Sequence, residues 1–163
     1  MIGNAIRFVQ KQSGFAPEDA IWEHAAIYVG DGMIAETSRG GSRSSFLNKY
    51  VPTHQIRVRR APNLNAVDGW RVAVQALIRL DFGYSYLSNA ALLWNSRKLG
   101  KDGPLTKPTS MPKRARICSQ LCAEAFMAAT NRSISSNNEA VTPASLSATH
   151  LLVDLNPLSW CPI

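Results

Sequence analysis

Residues 23–37, Glu-His-Ala-Ala-Ile-Tyr-Val-Gly-Asp-Gly-Met-Ile-Ala-Glu-Thr, constrain the fold more than any other stretch. Two β-rich runs, 24–29 and 33–37, flank Gly30-Asp31-Gly32, a strong short-range hairpin signal. His24 opens the first run and Glu36 lies in the second. Strand side chains alternate faces with period 2, so the register decides whether these two can meet. A two-residue Asp31-Gly32 turn would pair Ile27 with Glu36 and send His24 and Glu36 to opposite faces. A three-residue Gly30-Asp31-Gly32 loop, with glycine in the left-handed bulge position, would pair Ala26 with Glu36. His24 and Glu36 would then share a face, with small Ala26 leaving room between them. The three-residue loop is the expectation. It supplies a base and its orienter, and the rest of the chain must supply a nucleophile.

Cys118 is the candidate. Residues 117–130 carry the strongest helical pattern, with Cys118, Leu121, Cys122, Ala125, Phe126 and Ala129 at helical spacing. Cys118 falls at or near the start of this helix, just after Lys113, Arg114 and Arg116. The partial positive charge of a helix N-terminus and neighbouring cations both lower a thiol pKa. Cys122, one turn further on, reads as inert packing, and Cys161 has no helical support. Alone, Cys118 would read as one more buried small residue, His24 as a surface or core histidine, and Glu36 as a solvated carboxylate. Together they match the logic of nucleophile, base and orienter. His54 and His150 stand without such a context and read as structural. Zinc on Cys118, Cys122 and His24 ranks below catalysis, because structural sites use tighter Cys spacing and a clear fourth ligand. Three cysteines cannot all pair, which points to free thiols.

With 163 residues and 45% apolar content, the chain fits one globular domain, residues 1–163, with a real core. No apolar run approaches the roughly 20 residues that span a bilayer. No basic-then-apolar leader is visible, so the expected compartment is cytoplasmic, or reached by a signal-independent export route. The net charge of +7 is concentrated in Arg57-Val58-Arg59-Arg60 and in residues 97–116, which hold seven Lys or Arg against one Asp. A solvated strand face and a flexible basic loop are favoured over an anionic partner such as a cell-wall polymer or a lipid surface. Nucleic acid ranks last, since few aromatics interleave with the basic residues.

The remaining pattern predicts α+β architecture, with helices and an antiparallel sheet in separate blocks. Ile2, Ala5, Ile6 and Val9 predict a helix over 2–12. Residues 39–45 read as a polar turn, and Ser45 could cap a brief helix over 46–50. Residues 55–61 alternate and read as the third strand of a meander with the hairpin. Asn65 is a plausible N-cap for a helix to about Leu80, with Val67, Trp70, Val74, Leu77 and Ile78 as its apolar stripe. A helix over 87–98 and a loop over 100–112, a candidate lid, precede the cysteine helix. Thr142 reads as an N-cap with Pro143 at the first helical position, and 151–155 as a final extended segment.

Several islands resemble one family in their order: His24-Ala-Ala-Ile-Tyr-Val-Gly-Asp-Gly, Glu36, Phe82-Gly83-Tyr84-Ser85-Tyr86, Ile117-Cys118-Ser119-Gln120-Leu121 and Thr142-Pro143-Ala144-Ser145-Leu146. They resemble the circularly permuted NlpC-type papain-like proteins, which include the YiiX/YebB-like group and, more distantly, the lecithin:retinol acyltransferase-like enzymes. In the permuted group His precedes Cys, as here. The resemblance implies a permuted papain-like fold with the Cys-bearing helix packed on the antiparallel sheet. It implies Cys118 as nucleophile, His24 as general base and Glu36 as the residue orienting His24. Tyr84 and Tyr86 would line the substrate cleft with Ser119, and the backbone N–H of Cys118 would help form an oxyanion hole. Two departures stand out: residues 1–22 offer no Gly-Asp strand ahead of the His strand, and Gln120 replaces the usual Glu after Cys-Ser.

The expected activity is a cysteine hydrolase that cuts an amide or peptide bond through an acyl-enzyme, with no cofactor or metal. Peptide, amino-acyl or peptidoglycan-like compounds are the expected substrates. The alternatives are a lipid acyltransferase or phospholipase using the same thiol, and a binding module without activity. Oligomeric state is not encoded in any pattern.

Overall fold

The apolar spacing at the N-terminus forms the helix it predicts, α1 (Ile2–Gln12). The computed structural model describes residues 2–38, 41–51, 53–80, 118–135 and 141–155. A single turn, α2 (Pro17–Ala20), follows, opened by a proline whose missing N–H is no loss at a helix start. Strands β1 (Ala26–Gly30), β2 (Met33–Ser38) and β3 (Gly41–Phe46) form an antiparallel meander in the order β1-β2-β3. A second, two-stranded antiparallel sheet joins β4 (Arg59–Arg60) to β5 (Val153–Asp154). Three further helices complete the described chain: α3 (Ala66–Leu77), α4 (Cys118–Thr130) and α5 (Pro143–Ala148). The architecture is α+β.

The hairpin reaches its expected register by a different device. Ala26 pairs with Glu36 and Tyr28 with Ile34, but Gly30, not Val29, pairs with Met33. The turn is therefore the two residues Asp31 and Gly32, both at positive φ (48° and 72°), as a primed hairpin turn requires. A bulge between Tyr28 and Gly30 absorbs one residue and shifts the pairing beyond it by one position, which puts Glu36 opposite Ala26.

The third strand is the larger correction. It is β3, in the stretch expected to be a turn, and not residues 55–61, of which only Arg59 and Arg60 are strand and pair with β5. Gly-Ser-Arg-Ser-Ser-Phe has weak β propensity and no apolar alternation. Its side chains bond across to β2 instead: the Ser42 and Thr37 hydroxyls share a buried hydrogen bond of 2.9 Å, while Arg43 and Ser45 reach Glu36. Ser45 caps nothing; the turn after β3 is a 3-10 helix, Leu47–Lys49, anchored to the hairpin by Leu47 N–H on the Gly32 carbonyl at 2.8 Å.

Small residues set the helix packing. Ala35 of β2, Ala76 of α3 and Ala125 of α4 are all fully buried against one another, with Ile27 and Val29 beside them. Minimal side chains at this junction let both helices approach the sheet closely. The second cluster joins Cys122 and Phe126 of α4 to Val72, Ala61, Ile134, Val141 and Leu146. The core face of α3 is accordingly Val72, Ala73 and Ala76. The expected stripe of Val67, Trp70, Val74, Leu77 and Ile78 is exposed, Trp70 at 69%. Helical periodicity finds the helix and Asn65 caps it, accepting from Asp68 N–H at 2.8 Å, but the small-residue face, not the bulkier one, forms the core. The α4 stripe is buried from Cys118 to Phe126, with Ala129 half-buried, and Thr142 and Ser145 form a capping box at the start of α5.

Arg57 and Arg59 do not form a solvated face. Arg57 grips Asp154 through Nε and Nη2 at 2.7 and 2.8 Å and gives Nη1 to Ser147 Oγ at 2.6 Å. Arg59 Nη1 donates to the carbonyls of Leu146 and Ser147, both at 2.7 Å, and Nη2 to those of Thr149 (3.0 Å) and Leu152. These are orphan carbonyls at the end of α5 and just beyond, which a helix C-terminus cannot satisfy by itself. Tyr84, Tyr86, Cys161, the basic stretch 97–116, the helix over 87–98 and the loop over 100–112 lie outside the described residues.

Candidate active site

With Ile27 and Ala35 packed against the helices, alternation turns Ala26 and Glu36 to the opposite face of the sheet. Glu36 is fully buried there, and five donors converge on its carboxylate. Oε2 accepts from His24 Nε2 at 2.9 Å and from the Tyr50 hydroxyl at 2.6 Å. Oε1 accepts from Ser45 Oγ at 2.7 Å, from Lys49 Nζ and, at 3.4 Å, from Arg43 Nε. The fold explains the convergence. Arg43 is the cross-strand partner of Glu36, Ser45 stands two residues further on the same face of β3, and the 3-10 turn folds Lys49 and Tyr50 back over them. Burial alone would raise the Glu36 pKa, but the hydrogen bonds from His24, Lys49, Tyr50 and Ser45 outweigh it and hold the carboxyl well below the usual range. Glu36 is a fixed carboxylate.

His24 lies just ahead of β1. Its ring stacks at a tilt on Tyr50, with centroids 5.9 Å apart, and Tyr50 in turn makes a T-shaped contact with His54 at 5.2 Å. Because Nε2 is on Glu36, the nitrogen left for Cys118 is Nδ1. The buried amide of Gln10 fixes the chain ahead of His24. Its Nε2 donates to the carbonyls of Ala20 (3.1 Å) and Trp22 (2.8 Å), and its Oε1 accepts from Ala144 N–H at 2.9 Å.

Cys118 is the first residue of α4 and is buried against His24. Burial would lower the imidazole pKa. The hydrogen bond to Cys118 and its negative charge, then those of Glu36, overcome that and raise it to about 10. Burial would likewise raise the thiol pKa. The hydrogen bond and charge of His24, with the backbone N–H groups of Ala25 and Ser119, pull it below its ordinary value instead. The two opposed shifts describe one thiolate–imidazolium pair, oriented by a carboxylate. It is arranged for nucleophilic attack followed by proton delivery.

The structure thus brings His24, Glu36 and Cys118 together. Ser119 is in the same turn, but its side chain is fully buried and its hydroxyl donates to the Val141 carbonyl at 2.7 Å. Its link to the thiol is its backbone N–H, and its side chain ties α4 to the segment entering α5. Sequence reasoning missed Arg43, Ser45, Lys49 and Tyr50. The available signal was Gly40-Gly41 between two short polar runs, a hairpin cue that would have placed Arg43 and Ser45 on one strand face. Among the described residues, no group of three or more His, Cys, Asp or Glu is arranged to hold a metal ion. No protein-family model matches the sequence, and a search of curated proteins returned no match.

Proposed function

We propose that this chain is a cysteine hydrolase acting on an amide or peptide bond, built on a permuted papain-like fold in which the His strand precedes the Cys helix. The observation that carries the reading is His24 held between a buried carboxylate, 2.9 Å from Nε2, and the Cys118 thiol. The thiolate attacks the carbonyl carbon, and the electron pair moves to the carbonyl oxygen. Collapse of the tetrahedral adduct breaks the C–N bond as imidazolium Nδ1 gives its proton to the leaving amine. Water, losing a proton to the now neutral imidazole, attacks the thioester and releases the acid, restoring the ion pair. Glu36 keeps Nε2–H bonded throughout, so the ring neither flips nor changes tautomer. The substrate is a peptide or amino-acyl amide, cell-wall peptides included.

The test is intact-mass analysis of protein quenched during turnover of a panel of aminoacyl and peptidyl p-nitroanilides and p-nitrophenyl esters. An acyl adduct confined to Cys118, absent from Cys118→Ala, is expected. The absence of both adduct and turnover across the panel would contradict the reading. A lipid ester as substrate is the second reading. It is favoured by the exposed apolar face of α3, where Val67, Trp70 and Ile78 are at least 59% exposed. It predicts acyl transfer from phospholipid vesicles to Cys118 and none from the amides.

A further inference from the structure

His24 lies two residues ahead of β1 and Cys118 is the first residue of α4, so each stands at the end of its element. Helix ends fray, yet the thiol must meet the imidazole. The alanine junction that packs α4 on the sheet is at Ala125, about two turns further along. Two buried side chains that the reaction does not use, Gln10 and Ser119, anchor the backbone on either side. An amide carries two donors and an acceptor oxygen. Gln10 Nε2 meets two carbonyls, those of Ala20 and Trp22, while Oε1 meets the Ala144 N–H, and that set of partners admits one orientation of the amide. Gly3 and Arg7 share a face of α1 with Gln10. Arg7 pairs with Glu23, and a side chain at Gly3 would collide with the Glu23 carboxylate. One face of α1 thus cradles residues 20–23, the approach to His24. On the other side, Ser119 Oγ donates to the Val141 carbonyl at 2.7 Å. Both anchors therefore land on four consecutive residues, 141–144. That segment is itself braced: Thr142 and Ser145 cap each other, and proline fixes its own φ at Pro143. Ala144 N–H is the first-turn donor that proline and cap leave over, and Gln10 takes it.

We propose that Gln10 and Ser119 are positioning residues for the Cys118–His24 pair and act in series through residues 141–144. Ser119, next to Cys118, holds Val141; Ala144 holds Gln10; and Gln10 holds Trp22, two residues before His24. The inference rests on the hydrolase reading and assigns what sets the spacing of its two reacting groups. A displacement of about 1 Å between such groups can cost on the order of a hundredfold in rate.

A double-mutant cycle on Gln10→Met and Ser119→Ala tests it. The readout is the iodoacetamide rate at Cys118 below pH 7 relative to its alkaline plateau, which separates thiolate fraction from access; urea midpoints are measured beside it. Each single variant should lower this ratio on the order of tenfold, one unit of thiol pKa. Links in series fail together, so the double variant should fall no further than about the lower single one. Independent local effects would instead multiply, to about a hundredfold, and overturn the proposal. Cys122→Ala, a cavity in the same helix that leaves both links intact, should lower the urea midpoint and leave the ratio unchanged. Midpoints that fall in Gln10→Met and Ser119→Ala while the ratio holds likewise overturn the proposal. Should Gln10→Met not fold, Ser119→Ala decides alone: a wild-type ratio there removes the series link. The wild type keeps the two claims apart. A Cys118 reactive below pH 7 with indifferent variants leaves the hydrolase standing without these positioning residues; an inert Cys118 removes both.

Discussion

Cys118 and Cys122 sit one turn apart on the same face of α4, and both are 5% exposed. Their thiols behave oppositely. Burial and the nearby Cys118 charge push the Cys122 pKa up, while His24 and two backbone N–H groups pull that of Cys118 down. Burial and residue type are nearly matched, so neither of them sets the two thiols apart. Their surroundings do. Cys118, at the start of α4, meets an imidazole anchored to a buried carboxylate and two backbone N–H groups, whereas Cys122 lies in an apolar cluster with Val72, Phe126 and Leu146. Two thiols of one helix with opposite pKa shifts show how local the electrostatic control of a cysteine is.

Exchanging the two thiols gives the largest contrast. Cys118→Ala should reduce amide turnover by roughly 10³-fold or more, as expected when a nucleophile is deleted. Cys122→Ala should leave turnover within about twofold and instead cost about 1–2 kcal/mol of stability through the cavity it opens, read as a lower urea midpoint.

The carboxylate comes next. Glu36→Gln keeps the shape but removes the charge that helps raise the His24 pKa, so the Cys118 titration should move upward. The alkylation rate below pH 7 should fall on the order of tenfold. The His24 shift also sets a stability window. Its folded pKa is raised to about 10 from 6.5, so the charged His24 imidazole stabilises the fold fully below the lower value, and that contribution is lost as pH rises through the upper one. The melting-temperature gap between wild type and His24→Ala should accordingly close on the alkaline side. The smallest effect belongs to Tyr50→Phe. It deletes one of two donors to Oε2, costs about 1 kcal/mol, and should slow alkylation only a few-fold. A Tyr50→Phe variant, which keeps the ring on His24, as impaired as Glu36→Gln would mean that the Tyr50 hydroxyl, and not the whole set of donors, holds Glu36 in place.

The three central residues were legible locally, though not for every reason expected: a hairpin cue put His24 and Glu36 on paired strands, a bulge after Tyr28 that no local cue marked set their register, and a helical stripe placed Cys118. Capping was legible at Asn65 and Thr142 for the same reason. What surrounds them was not. The stretch that forms β3 lacks apolar alternation because its serines and Arg43 pair with β2 by hydrogen bonds, so no hydrophobic period marks it as a strand. The core face of α3 is made of Val72, Ala73 and Ala76, chosen for close approach, while larger apolar residues occupy the exposed side. Arg57 and Arg59 read as surface charge because their partners, at Leu146 to Asp154, lie about ninety residues away. Local patterns found His24, Glu36 and Cys118; the donors that hold Glu36 lie 7 to 14 residues from it, on a strand and turn that no hydrophobic period marks.

The most direct measurement is the pH profile of iodoacetamide alkylation, resolved by peptide mass spectrometry into Cys118 and Cys122, for wild type and His24→Ala. In the wild type, Cys118 should react as a thiolate below pH 7 while Cys122 stays silent, and in His24→Ala the Cys118 profile should collapse toward that of its neighbour. An ordinary thiol profile at Cys118, centred near the unperturbed value of 9.0 and unchanged by removing His24, would contradict the thiolate–imidazolium pair and with it the hydrolase.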